Sequence, residues 1–415
     1  MNKKIAIISI LSVSVIALGV FLGLYFKNGQ TPAGQTPTSG VRPIDNLFGG
    51  GTTATGTEGG AGEQTDQLDN QPRQLAQLAQ LYAAPVSGLG FFKNKDSEMV
   101  LRFTDRQNGH TYEFIPIAQT GQAERITNVT IPRVQEAVWS STGNNIIYRY
   151  LNPDTEEIAS FSAQIKTSTS TTAGTIQDIS GSFLAPQIRS LAFNPSGTNI
   201  FTLLYKDQTA GAQGYIYTAA NGDRKLVFDS PITYWNTAWP NERIIALTTK
   251  PTASDAGFLY FLNPQTGAQE RILGGFLGLS TLVNASGTLV AYSHNNTGRT
   301  TLNVYDVSAR SNKSVAIETL ADKCVWGTVN ANALYCAVPV LMSGTMPDEW
   351  YSGEVSLSDN IWAINTTTGE ARQIYRVGSG SEPSIDVTEM HISSDERYLA
   401  FINKNDLTVW VLRIQ

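Results

Sequence analysis

The residues that usually carry chemistry are scarce in this chain. Two cysteines, Cys324 and Cys336, in 415 residues exclude both a disulfide framework and a CxxC-type metal cluster. The three histidines are scattered. His110 and His294 sit in the turns RQNGHTY and HNNTG, and His391 lies on a predicted strand, so each reads as solvated or structural. Charged residues make up only 15% and the net charge is −6. With no basic footprint, nucleic acid is not an expected partner. No nucleophile elbow of the GxSxG type occurs, since VSGLG (86–90) and GSGSE (378–382) do not fit it. The densest acidic turns, NPDTEE (152–157) and PDEW (347–350), match no calcium-loop pattern. On these absences the chain is expected to need no cofactor and not to be an enzyme.

One long apolar run exists. After MNKK, residues 5–26 (IAIISILSVSVIALGVFLGLYF) carry no charge. At ~1.5 Å per residue such a helix spans a ~30 Å hydrocarbon core. A cleaved signal peptide would be shorter and would end in a small-x-small exit, which is absent. No cysteine follows for lipid attachment. The expectation is a single-pass anchor with residues 1–4 in the cytoplasm and the remainder outside, the lysines flanking the run favouring that orientation. Residues 27–71 are rich in Gly, Thr, Gln and Pro and poor in apolar residues. They cannot bury enough surface to offset ordering, so they read as a flexible tether.

From Pro72 to Gln415 a phrase recurs. An anchor is followed by a small polar turn and then an apolar strand. The anchors are Phe92, Trp139, Phe193, Trp239, Val283, Trp326 and Ile392. Their turns read KNKD, SSTG, NPSG, PNER, NASG, GTVN and SSDE, and the strands after them begin MVLRFT, IIYRYL, IFTLLY, IIALTT, LVAYSH, LYCAVP and YLAFIN. The steps are 47, 54, 46, 44, 43 and 66 residues. Each repeat holds a third strand, and most a fourth after a turn such as NPQTG (263–267) or NTTTG (365–369). A repeat of this length built of short strands predicts a seven-bladed β-propeller of four-stranded antiparallel blades. A single meander cannot bury both of its faces, and radial stacking covers them. The seventh repeat runs out after three strands. PRQLAQL (72–78) is expected to supply the fourth and close the ring, the alternative being a short lead-in helix in QLAQLAQLY.

The phrases NPSGTNIF, SSDERYLAFI and NPQTGAQERIL resemble the repeats of TolB-like and WD-repeat propellers over residues 72–415. No blade carries the terminal Trp-Asp pair, and Val283 and Asn330 depart from the usual aromatic and glycine. The arrangement also resembles membrane-anchored bacterial surface propellers of unassigned role. What the resemblance implies is an interaction platform, with no chemistry attached.

Cys324 and Cys336 fall on the first two strands of repeat six, either side of its turn. Hairpin geometry sets them opposite each other, which outside the cytoplasm suits a disulfide. Two buried free thiols are the alternative. The 66-residue step contains an insertion, PVLMSGTMPDEWYSGEVSLSDN (339–360), which holds Asp348, Glu349, Trp350 and Tyr351. Long loops in compact domains are functional or disordered, and Trp and Tyr are enriched at binding hot spots. Either these aromatics bind a partner or they plug the loop onto its own blade. Tyr234 and Trp235, in SPITYWNTAW, belong to the same face, so the expected partner site is Trp350, Tyr351, Asp348, Glu349, Tyr234 and Trp235. The expected role is a cell-envelope scaffold or recognition module for a protein partner. A carbohydrate-binding propeller, and a hydrolase or lyase working in the central channel, are the alternatives.

Overall fold

The computed structural model describes residues 77–116, 123–165, 179–206, 210–218, 223–296, 298–378 and 383–414. The apolar run 5–26, the tether 27–71 and most of the closing segment 72–78 lie outside them. Among the described residues no helix is long and apolar enough to cross a membrane.

Seven four-stranded antiparallel sheets make up the described chain, each a separate blade. Their innermost strands are Val86–Lys93, Val134–Trp139, Ile188–Phe193, Trp235–Asn241, Ser280–Val283, Cys324–Trp326 and Val387–Ile392. Blades 1 to 6 run in sequence order from the axis outward. Blade 7 takes its outer strand from the other end of the chain: Leu78–Tyr82 pairs with Thr408–Arg413, Leu78 facing Leu412. Ring closure is therefore by the N-terminal side, as expected, with the strand a few residues later than the 72–78 segment. It is a strand rather than a helix because it serves two interfaces. Leu78 packs in a cluster with Tyr335 of blade 6, and Leu81 in one with Phe103 of blade 1.

The core lies between blades. Tyr398, Ala400 and Ile402 of blade 7 pack with Leu101 and Phe103 of blade 1. Ala192 and Phe201 of blade 3 pack with Trp239 and Leu247 of blade 4. The second strand of a blade is covered on both sides, so it reads as a continuous apolar run instead of alternating; Met99–Asp105 is buried at every position. The anchors sit at these junctions, with the Phe92 and Trp139 rings of blades 1 and 2 at 5.4 Å.

The turn after the anchor has a local cause. In blades 2, 3 and 5 the glycine takes φ of +71°, +70° and +75° (Gly143, Gly197, Gly287), the left-handed region that costs a β-carbon residue. Its N–H donates to the carbonyl of Ser140, Asn194 or Asn284 at 2.9 Å. The same Ser or Asn side chain accepts from the N–H opening the next strand, as Asn194 Oδ1 does from Asn199 at 2.8 Å. Blade 7 places Glu396 at the glycine position with φ +53°. That carboxylate crosses to blade 6 and accepts from the N–H groups of Val329 (2.7 Å) and Asn330 (2.9 Å) and from the Tyr335 hydroxyl (3.2 Å). The opposite face carries the connections between second and third strands and those between blades.

Candidate functional site

The blade 6 insertion is a built cap on that second face. It leaves the strand Ala333–Pro339 and returns at Asp359–Asn365. It carries a short helix, Asp348–Ser352, which Gly353 ends at φ +81°. Met346, Trp350 and Leu357 of the insertion pack on Leu320 as a small core of their own. Hydrogen bonds then fasten it to blades 4 and 5 and to the two connections that flank blade 6. Asp348 Oδ2 accepts from the Ala253 N–H of blade 4 at 2.6 Å. Asn295 of blade 5 donates to the Met346 carbonyl at 2.6 Å. Tyr351 donates to Asp322, in the connection from blade 5 to blade 6, at 2.8 Å. Trp350 Nε1 donates to Asp386, in the connection from blade 6 to blade 7, at 3.0 Å.

Under the cap lies an ionic cluster that sequence reasoning missed. Lys323 is fully buried. Its Nζ donates to Asp386 Oδ1 at 2.5 Å and to the Val387 carbonyl at 2.9 Å, and sits 2.8 Å from Asp359 Oδ2. Asp386 Oδ2 also accepts from the Leu357 N–H at 3.0 Å, and Asp359 Oδ2 from the Val387 N–H at 2.7 Å. The Lys323 ammonium lies 4.7 Å from the centre of the Trp350 ring. Burial raises the Asp359 carboxyl above its usual range, against the pull of Lys323. Nothing local in LADKCVW announces this lysine, whose partners are 36 and 63 residues away in sequence.

The expected site residues divide accordingly. Trp350 is 3% exposed and Trp235 is 6% exposed, with its indole N–H donating to the Ile232 carbonyl at 2.9 Å. Both rings are packed inside the molecule. Tyr351 is partly covered, and burial followed by the Asp322 charge pushes its hydroxyl well above the usual value. Asp348 and Glu349 are half-buried, and Tyr234 stands out at 55%. Its ring makes an edge contact with Tyr205. The most exposed apolar side chains of the insertion are Val340 and Leu341, at 69% and 73%. The signal for them was the pair VL directly after a strand-ending proline. Cys324 and Cys336 face each other in register and are joined by a disulfide.

A second group lines the axial channel. Glu389 sits on a bulge of the innermost strand of blade 7, with φ +49°. A non-glycine residue held there is strained, and bulges re-aim side chains. Glu389 is exposed at the inner edge of its blade, but protein atoms of neighbouring blades surround it closely enough to limit the water that reaches the carboxyl. That desolvation, then the charge of Glu136, pushes it up to about 8, with Arg106 opposing. Glu136, on the innermost strand of blade 2, is paired with Arg149 at 2.5 Å. Desolvation pushes His391 down to about 4.

No family model matches the chain, and no curated protein resembles it in sequence. Solved structures do resemble it in fold. An oligogalacturonate lyase from Vibrio parahaemolyticus superposes with a TM-score of 0.57 at 8% identity, over 81% of this chain and 93% of its own. The β-propeller domain of the Trilobed protease from Pyrococcus furiosus gives 0.51 at 12% identity, over 79% and 95%. The Cps50 (Swd1) β-propeller domain of Myceliophteria thermophila gives 0.50 at 10% identity, over 81% and 100%. These identities show the propeller fold alone, and a TolB-like kinship specifically is not among what they support. The Pyrococcus propeller is described as an open velcro; here the velcro is closed by Leu78–Tyr82. One expectation is corrected. The chain was expected not to be an enzyme because no catalytic motif could be read in it, yet an enzyme shares its fold over most of both lengths. A missing motif carries little weight on this fold, because a site assembled on a propeller can draw single residues from several blades, 40 or more positions apart.

Proposed function

We propose that the protein is a membrane-tethered, extracytoplasmic recognition module that docks a protein partner on the capped face of the propeller. The observation that carries this reading is the cap itself. It is fastened to blades 4 and 5 and to both connections flanking blade 6, and holds Val340 and Leu341 outward at 69% and 73% exposure. Preorganised apolar side chains bind at low ordering cost. Trp350 and Tyr351 serve this surface by holding the cap, while Val340, Leu341 and Tyr234 meet the partner. The apolar run 5–26 and the facing cysteines support the location. The test is crosslinking capture from the native membrane with the full chain and a Val340→Asp/Leu341→Asp variant. A single partner held by the wild type and lost by the variant supports the proposal. Identical capture by both sinks it, and glycan retention without protein capture turns the reading to carbohydrate.

A second reading, chemistry in the axial channel, is favoured by Glu389. A carboxyl that keeps its proton near neutral pH, beside an ion-paired Glu136, is the acid–base pairing that cleavage of a sugar chain uses. Oligogalacturonides are the first substrates to try, measured by ultraviolet absorbance of the unsaturated product. Turnover abolished in Glu389→Gln supports this reading, and no turnover by the wild type removes it.

A further inference from the structure

A recess of about 180 Å3 opens in the channel wall between the innermost strands of blades 4 and 5, beside the cap. Its polar side is Asn236, Thr237, Thr248, Ser280, Thr281 and the Asp322 carboxylate, and its other walls are aliphatic, among them Ala238 and Leu282. Ser280 and Thr248 are buried, and Thr248 and Thr281 bond to each other at 2.5 Å, so this wall is built rather than incidental.

The charge at the recess is unbalanced. Asp322 Oδ2 accepts from the hydroxyls of Ser280 and Tyr351, both neutral donors. Among the described residues no Lys or Arg is ion-paired with Asp322. The adjacent Lys323 points away, its ammonium held by Asp386, Asp359 and the Val387 carbonyl. Lys250 lies over the Tyr234 ring on the outer side. A second carboxylate, Asp348 on the cap, also acts on Tyr351 and takes its bond from a backbone N–H. A carboxylate at one end of an aliphatic slot suits an alkyl stem with a cationic head. The volume is below the roughly 300 Å3 of ordinary ligand pockets, so it takes one side chain and not an oligosaccharide.

We propose that this recess binds a single alkylammonium or guanidinium group, with Asp322 as its counter-ion, and that the docked partner presents it as a Lys or Arg side chain. The proposal rests on the capped face being the docking face; the recess is tested without the partner, so the two fail separately. The cationic head meets Asp322 Oδ1, the oxygen left over by Ser280 and Tyr351, and the stem lies along Ala238 and Leu282.

The experiment titrates the full chain with Nα-acetyl-lysine amide, Nα-acetyl-arginine amide, n-butylammonium and the uncharged Nα-acetyl-norleucine amide, read by calorimetry. The expected result is binding of the cationic probes and a loss of at least about tenfold for norleucine, which lacks the charge-assisted bond. Asp322→Asn keeps the acceptor for Tyr351 and should weaken the cations about tenfold. Ala238→Leu fills the slot without removing a hydrogen bond and should abolish binding, so a folding defect in the first variant does not leave the question open. Amides that bind more tightly than n-butylammonium identify a peptide side chain as the ligand; n-butylammonium binding as tightly as the amides identifies a free amine and overturns the partner clause. Equal binding of norleucine amide, or binding untouched by Ala238→Leu, overturns the proposal.

Discussion

The hairpins of the turn face are shaped by local bonds, and the insertion on the capped face by distant ones. On the turn face, the bonds that shape a hairpin join residues three to five apart, as Gly197 to Asn194 and Asn199 to Asn194. On the capped face, the bonds that hold the insertion span long separations, as Asp348 to Ala253 at 95 residues and Asn295 to Met346 at 51. The first face repeats because each hairpin solves the same local problem. The second is unique because one loop uses groups from two other blades and two inter-blade connections. Local order recurs as a phrase in the chain, and long-range order does not.

The largest expected effect breaks the capped face. Lys323→Met leaves Asp359 and Asp386 buried without their cation, which costs about 3–5 kcal/mol. Denaturant unfolding of the variant measures it, and a loss below about 1 kcal/mol would show that the cluster does not hold the cap. Next comes the disulfide in the hairpin beneath it. Cys324→Ser/Cys336→Ser, with a separation of 12 residues, is expected to lose about 3 kcal/mol, read as a lower thermal midpoint. A midpoint unmoved by the double variant contradicts this.

The turn face gives a smaller effect. Gly197→Ala forces a β-carbon into φ +70°, about 1–2 kcal/mol, and brings it to 3.0 Å from Ser140 of blade 2. Equal stability of Gly197→Ala and wild type would remove the local account of the phrase. The smallest effect is a slope with pH, because Glu389 is exposed and solvent screens its interactions. Glu389 has a folded value near 8 against about 4.5, so between those limits the native state holds the extra proton and stability falls as pH rises. His391, near 4 against 6.5, works the other way: stability falls as pH drops from 6.5 towards 4. The two oppose between 4.5 and 6.5, so the window for Glu389 is pH 6.5 to 8. There Glu389→Gln is expected to flatten the stability profile, and an unchanged slope would remove the assignment.

Much of the fold could be read in the chain. The seven anchors each sit at the end of an innermost strand or beside it, and the second strands match the apolar runs MVLRFT to YLAFIN almost residue for residue. Strand and turn preferences act over a few residues, so they leave a local trace. The blade 1, 4 and 6 turns depart from the phrase. Blade 4 uses a two-residue hairpin in which Asn241 faces Ile244, and its Glu242 reaches back to Asn194 and Ser196 of blade 3. The candidate site was only half legible. The insertion was visible as an overlong step, but Trp350 faces in and Val340 and Leu341 face out, because the indole N–H finds Asp386, a residue 36 positions on.

The sequence by itself determined the number of blades, their strands, most of their local turns and the placing of the two cysteines opposite each other across a hairpin. Those depend on steric and hydrogen-bonding preferences within a few residues, repeated until the ring closes. Tertiary structure alone decided what lies under the cap, which charges meet in the channel and which carboxylate is left without a cation. Those are sums over groups from different blades, and desolvation and ion pairing take their values only when the blades are in place.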